Sequence, residues 1–256
     1  MNKKINKIIN LNKELANKTQ ASISVVSRSL AKTKFRYTSK ALLSFIPKSG
    51  YLNSSILDSY INKNIYSAGI LFRSMIEHSF RHLYIFTRAL NENSDSIGNK
   101  YYNSLKANED LESFREINNY NKVVYPEKTK WSTKGNHNNL IRKAAKEFRI
   151  EQIFYYLIGN NNGNNIEIVD RFKKEYLLER LIQYTELSSG VHGGPFGELM
   201  LEKLHKSKVS LEKKLYKFAM DSFILHKSTI ESTYLFAYLM DSNIQKHYEE
   251  IKNLNK

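Results

Sequence analysis

The sequence predicts an all-α protein, a helical bundle with an N-terminal helical extension, and three observations lead there. Leu, Ile, Phe and Tyr recur at three- and four-residue spacing along most of the chain, the pattern of helices that bury one face. Only three prolines interrupt that pattern, Pro47, Pro126 and Pro195, and proline is the residue a helix interior tolerates least. Turn-bounded runs of alternating apolar and polar residues are scarce, and no Asn-Gly pair sits between two β-branched runs, so strand and hairpin signals are missing.

The first helix is expected over residues 5–30. Pro47-Lys48-Ser49-Gly50 reads as a polar loop and as the boundary between the extension, residues 1–50, and the bundle, residues 51–256. A short helix over 55–61 follows, then a long central helix over 66–90 that stops at Asn91-Glu92-Asn93-Ser94. Another helix covers 97–117. Residues 121–139, which hold Pro126, Gly135 and the single tryptophan, Trp131, read as a long loop. Helix resumes over 140–158, and the Gly- and Asn-rich stretch 159–165 is a turn. The next helix, 166–187, ends at Ser188-Ser189-Gly190-Val191-His192-Gly193-Gly194-Pro195. Helices over 209–240 and 242–254 complete the chain, and no internal repeat is visible.

Charge and composition narrow the functional classes. Lys and Arg number 40 against 25 Asp and Glu, a net charge of +15, which attracts polyanions such as RNA, DNA or anionic membranes. The competing account is that a Lys- and Asn-rich surface reflects AT-rich coding. There is no cysteine, which excludes disulfides, zinc–thiolate sites and thiol nucleophiles and fits the cytoplasm. Residues 1–18 alternate Lys and Asn with Ile and Leu, unlike the apolar core of a signal peptide. No transmembrane segment is expected, because even residues 218–240 are broken by Asp221, His226, Lys227 and Glu231.

Two segments are candidates for chemistry. On a helical wheel, Leu71, Phe72, Met75, Ile76, Phe80, Leu83, Ile85 and Phe86 cover most of the central helix, leaving a narrow stripe of Tyr66, Arg73, Glu77, Arg81 and Tyr84. Arg73 and Glu77 stand one turn apart and can pair; the plain alternative is a buried strut that organises the bundle. In the second segment, 184–195, three glycines and a proline surround His192 at a helix end. Such glycines allow close approach of backbone or ligand, and the plain alternative is a helix stop.

Other patterns point to structure. His78 and His82 follow Glu77 in the order Glu-His-x-x-x-His rather than the His-Glu-x-x-His of zinc proteases. No Gly-Lys-Ser/Thr follows Gly190, Gly193, Gly194 or Gly197, so there is no phosphate-binding loop. The lysines of 203–217 read as a solvated helix face, and Tyr101-Tyr102 and Tyr155-Tyr156 as core or interface.

Ala68, Arg73, Ser74 and Glu77 on the central helix, with Tyr184, Leu187, Ser188, Val191 and His192 much later, resemble the bacterial helical proteins of the DUF5677 type, which are similar to the wider HEPN superfamily of helical-bundle ribonucleases and toxins. The resemblance spans residues 51–240. The HEPN hallmark is an Arg followed after four to six residues by a His, and Arg73 and His78 have that spacing. The Asn, His or Asp usual just after the Arg is absent, and five residues separate two helical side chains by about 140°, which makes His192 the better companion. The resemblance implies a metal-independent ribonuclease without cofactor. A His takes the proton from the RNA 2′-OH or protonates the leaving oxygen while Arg stabilises the phosphate, and dependence on the 2′-OH confines cleavage to RNA. Arg73 would contact phosphate, Glu77 would orient Arg73 or a His, His192 would be acid or base, and Tyr184 and Ser188 would support it. A homodimer, an antitoxin or defence-system partner, and a toxin role in antiphage defence by abortive infection are implied in the same way. The competing class is a non-catalytic helical module that binds nucleic acid or protein through its basic face; a membrane-surface role for the Lys-rich N-terminus is a third option.

Overall fold

A helix as apolar as residues 65–92 is stable in water only when covered from several sides, and its coverage organises the molecule. The computed structural model describes residues 3–125, 135–159, 174–191, 202 and 207–254. Its elements in chain order are α1 (Lys3–Ala31), α2 (Arg36–Ile61), α3 (Ile65–Glu92), α4 (Ser96–Asn99), a π-helical turn (Lys100–Leu105), α5 (Lys106–Val124), α6 (Gly135–Lys146), α7 (Ile150–Gly159), α8 (Lys174–Val191), α9 (Lys208–Met240), a 3-10 turn (Ser242–Ile244) and α10 (Gln245–Lys252). Among the described residues there is no strand, and no helix is long and apolar enough to cross a membrane.

Helices α2, α9, α8 and α7 pack on α3. Phe72, Met75, Ile76 and Phe86 of α3 are fully buried with Phe45 of α2 and Phe218, Phe223 and Phe236 of α9; the Phe72 and Phe218 rings lie 5.0 Å apart. Helix α1 lies along α9 and buries Ile5, Ile8, Leu15, Val26 and Leu30 in the same core. Polar side chains tie the three long helices together inside it. Asn53 of α2 donates through Nδ2 to Asn12 Oδ1 of α1 and accepts from Ser222 Oγ of α9 at 2.9 Å. Ser22 and Tyr234 hydroxyls stand 2.9 Å apart.

Several boundaries differ from the sequence reading. Pro47-Lys48-Ser49-Gly50 is no loop but the middle of α2, so the boundary expected at residue 50 lies inside a continuous helix. A proline in a helix interior costs about 3 kcal/mol, which burial of Phe45 and Ile46 and packing of α2 on both α3 and α9 offset here. Gly50 packs beside the His226 ring, where a Cβ would make ordinary contact at 3.4 Å. Residues 97–117 are helical in three pieces that run on to Val124. The helix expected over 140–158 breaks at 147–149 between α6 and α7, and α8 continues through Ser188, Ser189 and Gly190 to Val191. The turn at 159–165 lies, from residue 160, outside the described residues.

The start of α2 is capped from elsewhere in the chain. Phe35 has no side chain that can cap it. The Asp95 carboxylate supplies that function, accepting from Tyr37 N–H at 2.8 Å and Thr38 N–H at 2.7 Å. Gly98 makes this docking possible, because a Cβ at residue 98 would lie 2.2 Å from the backbone nitrogen of Thr38. Gly98→Ala is expected to destabilise the fold by about 3 kcal/mol through overpacking against backbone, and Asp95→Ala by about 1–2 kcal/mol through loss of the cap. Urea denaturation followed by circular dichroism checks both; a Gly98→Ala protein as stable as wild type would refute the close contact.

Candidate functional site

The candidate site lies where α8 crosses α3, and its geometry starts with a residue that has no side chain. A Cβ on Gly69 would stand 3.2 Å from Leu187 Cδ2, so the glycine lets α8 settle against α3 with Leu187 buried. One turn further along α3, Arg73 then reaches the next residues of α8. Its Nε donates to Ser188 Oγ at 2.8 Å and its Nη2 to the Tyr184 hydroxyl at 2.9 Å, while the guanidinium carbon lies 4.7 Å from the centre of the Tyr184 ring. Ser188 has its own proton committed to the Tyr184 carbonyl at 2.7 Å. Its hydroxyl therefore meets Arg73 with a lone pair, as a guanidinium that can only donate requires.

Glu77 joins the cluster from one turn below. Its Oε2 is 3.7 Å from Arg73 Nη1 and its Oε1 is 2.7 Å from Arg81 Nη2. The side chains of Arg73, Glu77 and Arg81 are 20%, 23% and 21% exposed, so the cluster reaches solvent while its surroundings are largely dry. Two cations share one carboxylate, which leaves the group with net positive charge. Burial pushes the Tyr184 phenol above its ordinary pKa, as does the Glu77 charge, with Arg73 and Arg81 opposing. At neutral pH it is a protonated hydroxyl that accepts from Arg73. A guanidinium offers five N–H donors in a fixed fork; two are used on α8, and the 3.7 Å approach to Glu77 is longer than a hydrogen bond. The remaining donors can meet a phosphate oxygen.

Of the residues expected in the site, the fold brings Arg73, Glu77, Tyr184 and Ser188 together. His192 directly follows Val191 in the chain and lies outside the described residues. His78 is on a different side of α3 from the α8 seam: its ring packs edge-on against Phe45 of α2 at 5.9 Å between centres. Burial lowers its pKa, and Arg81 and Lys48 lower it further, against Glu77. His82, one turn on, is buried with Nε2 3.0 Å from Thr233 Oγ1, and burial pushes its pKa down to about 3. Among the described residues no group of three or more His, Asp or Glu stands close enough to hold a metal ion.

Two charged contacts lie beyond the residues expected in the site, Arg81–Glu77 and Arg180–Asp221. Arg81 was visible as part of the polar stripe, and its spacing of four from Glu77 was the signal that would have added it. Arg180 of α8 and Asp221 of α9 form a buried ion pair across 41 residues of chain, and no local spacing announces such a pair. Of the tyrosine doublets, Tyr101 and Tyr156 pack their rings on Phe148 and Tyr84, whereas Tyr155 is exposed. Lys217 of the basic run pairs at the surface with Glu179.

Comparison with known proteins gives no match: no family model, no curated protein and no solved structure matches this chain.

Proposed function

We propose that this chain is a HEPN-like, metal-independent endoribonuclease that acts on single-stranded RNA at the α3–α8 seam, with a toxin role in antiphage defence. One observation carries the reading: Arg73, which is 111 and 115 residues from Tyr184 and Ser188, is held by both in a half-open cluster with Glu77. An arginine fixed on one side by neutral hydroxyls and a loosely paired carboxylate is preorganised, so little reorganisation is needed when charge develops on a phosphate. In the proposed reaction the 2′-OH attacks the adjacent phosphorus and the bond from phosphorus to the 5′-oxygen breaks. His192 accepts the 2′-OH proton and a proton is returned to the leaving oxygen, giving a 2′,3′-cyclic phosphate and a 5′-OH end. Glu77 keeps Arg73 oriented, and Tyr184 and Ser188 hold it from α8. Two copies facing one cleft, and a partner protein that restrains the activity, belong to the same proposal.

The test is to incubate the purified protein with total RNA, with and without EDTA. Cleavage insensitive to EDTA and leaving cyclic phosphate ends is expected, with Arg73→Ala and His192→Ala each slowing it by about 10²–10³-fold. Absence of cleavage, or cleavage abolished by EDTA, would overturn the reading. A second reading, a non-catalytic binding module, is favoured by the number of protein partners around Arg73. It expects Arg73→Ala to lower the melting temperature and leave RNA binding intact, with no cleavage by either protein.

A further inference from the structure

Arg81 takes one oxygen of Glu77 and also lines a cleft of ≈ 410 Å³ between α3, the π-helical turn, α5 and α6. Three more cations line that cleft, Arg142 and Lys146 of α6 and Arg149 just beyond it, against two carboxylates, Glu109 and Glu112 of α5. Glu112 accepts from Asn108 Nδ2 at 3.0 Å, so part of its hydrogen-bonding capacity is used inside α5. The acid closest in sequence to the cations is Glu147, and it is already engaged by Arg88 at 2.7 Å and Lys100 at 2.8 Å. Among the described residues Arg142, Lys146 and Arg149 have no ion-pair partner, and Arg81 Nε is buried without a hydrogen-bond partner. The cleft therefore carries uncompensated positive charge over a floor of buried Leu105, Ala145 and Phe148.

We propose that this cleft docks the sugar–phosphate backbone of a single-stranded nucleic acid. Its volume falls within the range of about 300–1,000 Å³ in which ligands are enclosed. Arg142 and Lys146 stand one helical turn apart, roughly 6 Å along the axis, a spacing that suits successive phosphates better than one small anion. Among the described residues no exposed ring lines the cleft, so the contacts on offer are to the backbone rather than to stacked bases. A concave site with cations on its walls is also a poor fit to a flat lipid surface. Arg81 links the cleft to Glu77 and Arg73, so a strand held there runs toward the α3–α8 seam. As a substrate track the cleft rests on the ribonuclease reading, under which the strand is RNA; as a binding site it does not.

Binding is measured by fluorescence anisotropy of a labelled single-stranded RNA on the full chain at several salt concentrations, beside DNA of the same sequence and the RNA duplex. The variant Arg142→Gln/Lys146→Gln/Arg149→Gln is expected to bind at least tenfold more weakly. The slope of log affinity against log salt should fall by about 2, from three lost contacts at about 0.7 each. A control with the same charge change on elements that do not line the cleft, Lys7→Gln/Lys13→Gln/Lys246→Gln, is expected to stay within about threefold of wild type, because it removes only distant charge. Lys146→Gln alone changes one exposed side chain and should lower the slope by about 0.7, which keeps the test valid if the triple variant fails to fold. Single-stranded RNA and DNA should bind alike and better than the duplex. Equal weakening by the cleft and control variants, a cleft variant that binds like wild type, or preference for the duplex would each overturn the proposal. Cleft-dependent binding without any cleavage leaves the cleft standing and sinks the ribonuclease reading; cleavage with a cleft variant that binds and cuts like wild type does the reverse.

Discussion

Asp221→Ala is expected to lower folding stability by about 3–5 kcal/mol, the effect of removing one partner from a buried ion pair. Arg180 is 3% exposed and Asp221 10%. The Arg180 guanidinium lies 4.6 Å from the centre of the Tyr176 ring and 5.8 Å from that of Phe72, and donates to Gln183 Oε1 at 2.7 Å as well as to Asp221. Without Asp221 the buried cation keeps a neutral amide oxygen, two ring faces and the charge of Glu179, which is half exposed and already paired with Lys217. It cannot escape by losing its proton, because arginine stays charged in proteins. Replacing both partners, Arg180→Met with Asp221→Leu, removes the charge together with its counter-charge and is expected to cost little or to stabilise. Urea denaturation of the three proteins decides this, and a single variant within about 1 kcal/mol of wild type would show that water already solvates the pair. The same contact ties α8 to α9, so Asp221→Ala should also loosen the seating of Tyr184 and Ser188 on Arg73.

The second large effect is expected on mild acidification. His82 has its pKa pushed down to about 3 and His226 to about 4, in both cases by burial; His226 Nδ1 lies 2.8 Å from Ser49 Oγ at the α2–α9 contact. In the unfolded chain an imidazole takes up its proton near pH 6.5. Below that pH the unfolded state binds protons that the folded state refuses, so stability is full above about pH 6.5 and falls as the pH drops toward the folded values. Each histidine contributes on the order of 1 kcal/mol per pH unit in that window. Between about pH 6.5 and about pH 5, where carboxylates are still ionised, the two together should remove on the order of 3 kcal/mol. His226→Gln should lower the slope of stability against pH by somewhat less than half, because His82 and His78, both held below the ordinary value by burial, keep the remainder. Denaturation midpoints that stay level across the window would refute the burial of these rings.

The all-α class was legible because the helices bury apolar residues at helical spacing, and three- and four-residue recurrence is the direct imprint of that burial on a sequence. Helices α1, α3 and α9 begin and end within two residues of where the spacing and the polar stretches set them, and Asn93 stops α3 in the left-handed conformation that asparagine tolerates. The Arg73–Glu77 pair was readable for the same reason, since four residues make one turn. Tertiary structure decided the rest. Whether Pro47 and Gly50 break a helix depends on how much packing holds α2 on both sides, and local propensity carries no record of that. Which residues of α8 meet Arg73 depends on the approach allowed at Gly69, on the other helix. The Arg180–Asp221 pair and the cation-lined cleft beside Arg81 join side chains from separate elements, and their energies come from exclusion of water after the helices have packed. Periodicity records what each helix does alone; charge placed inside or between helices acquires its meaning only when assembly lowers the dielectric around it.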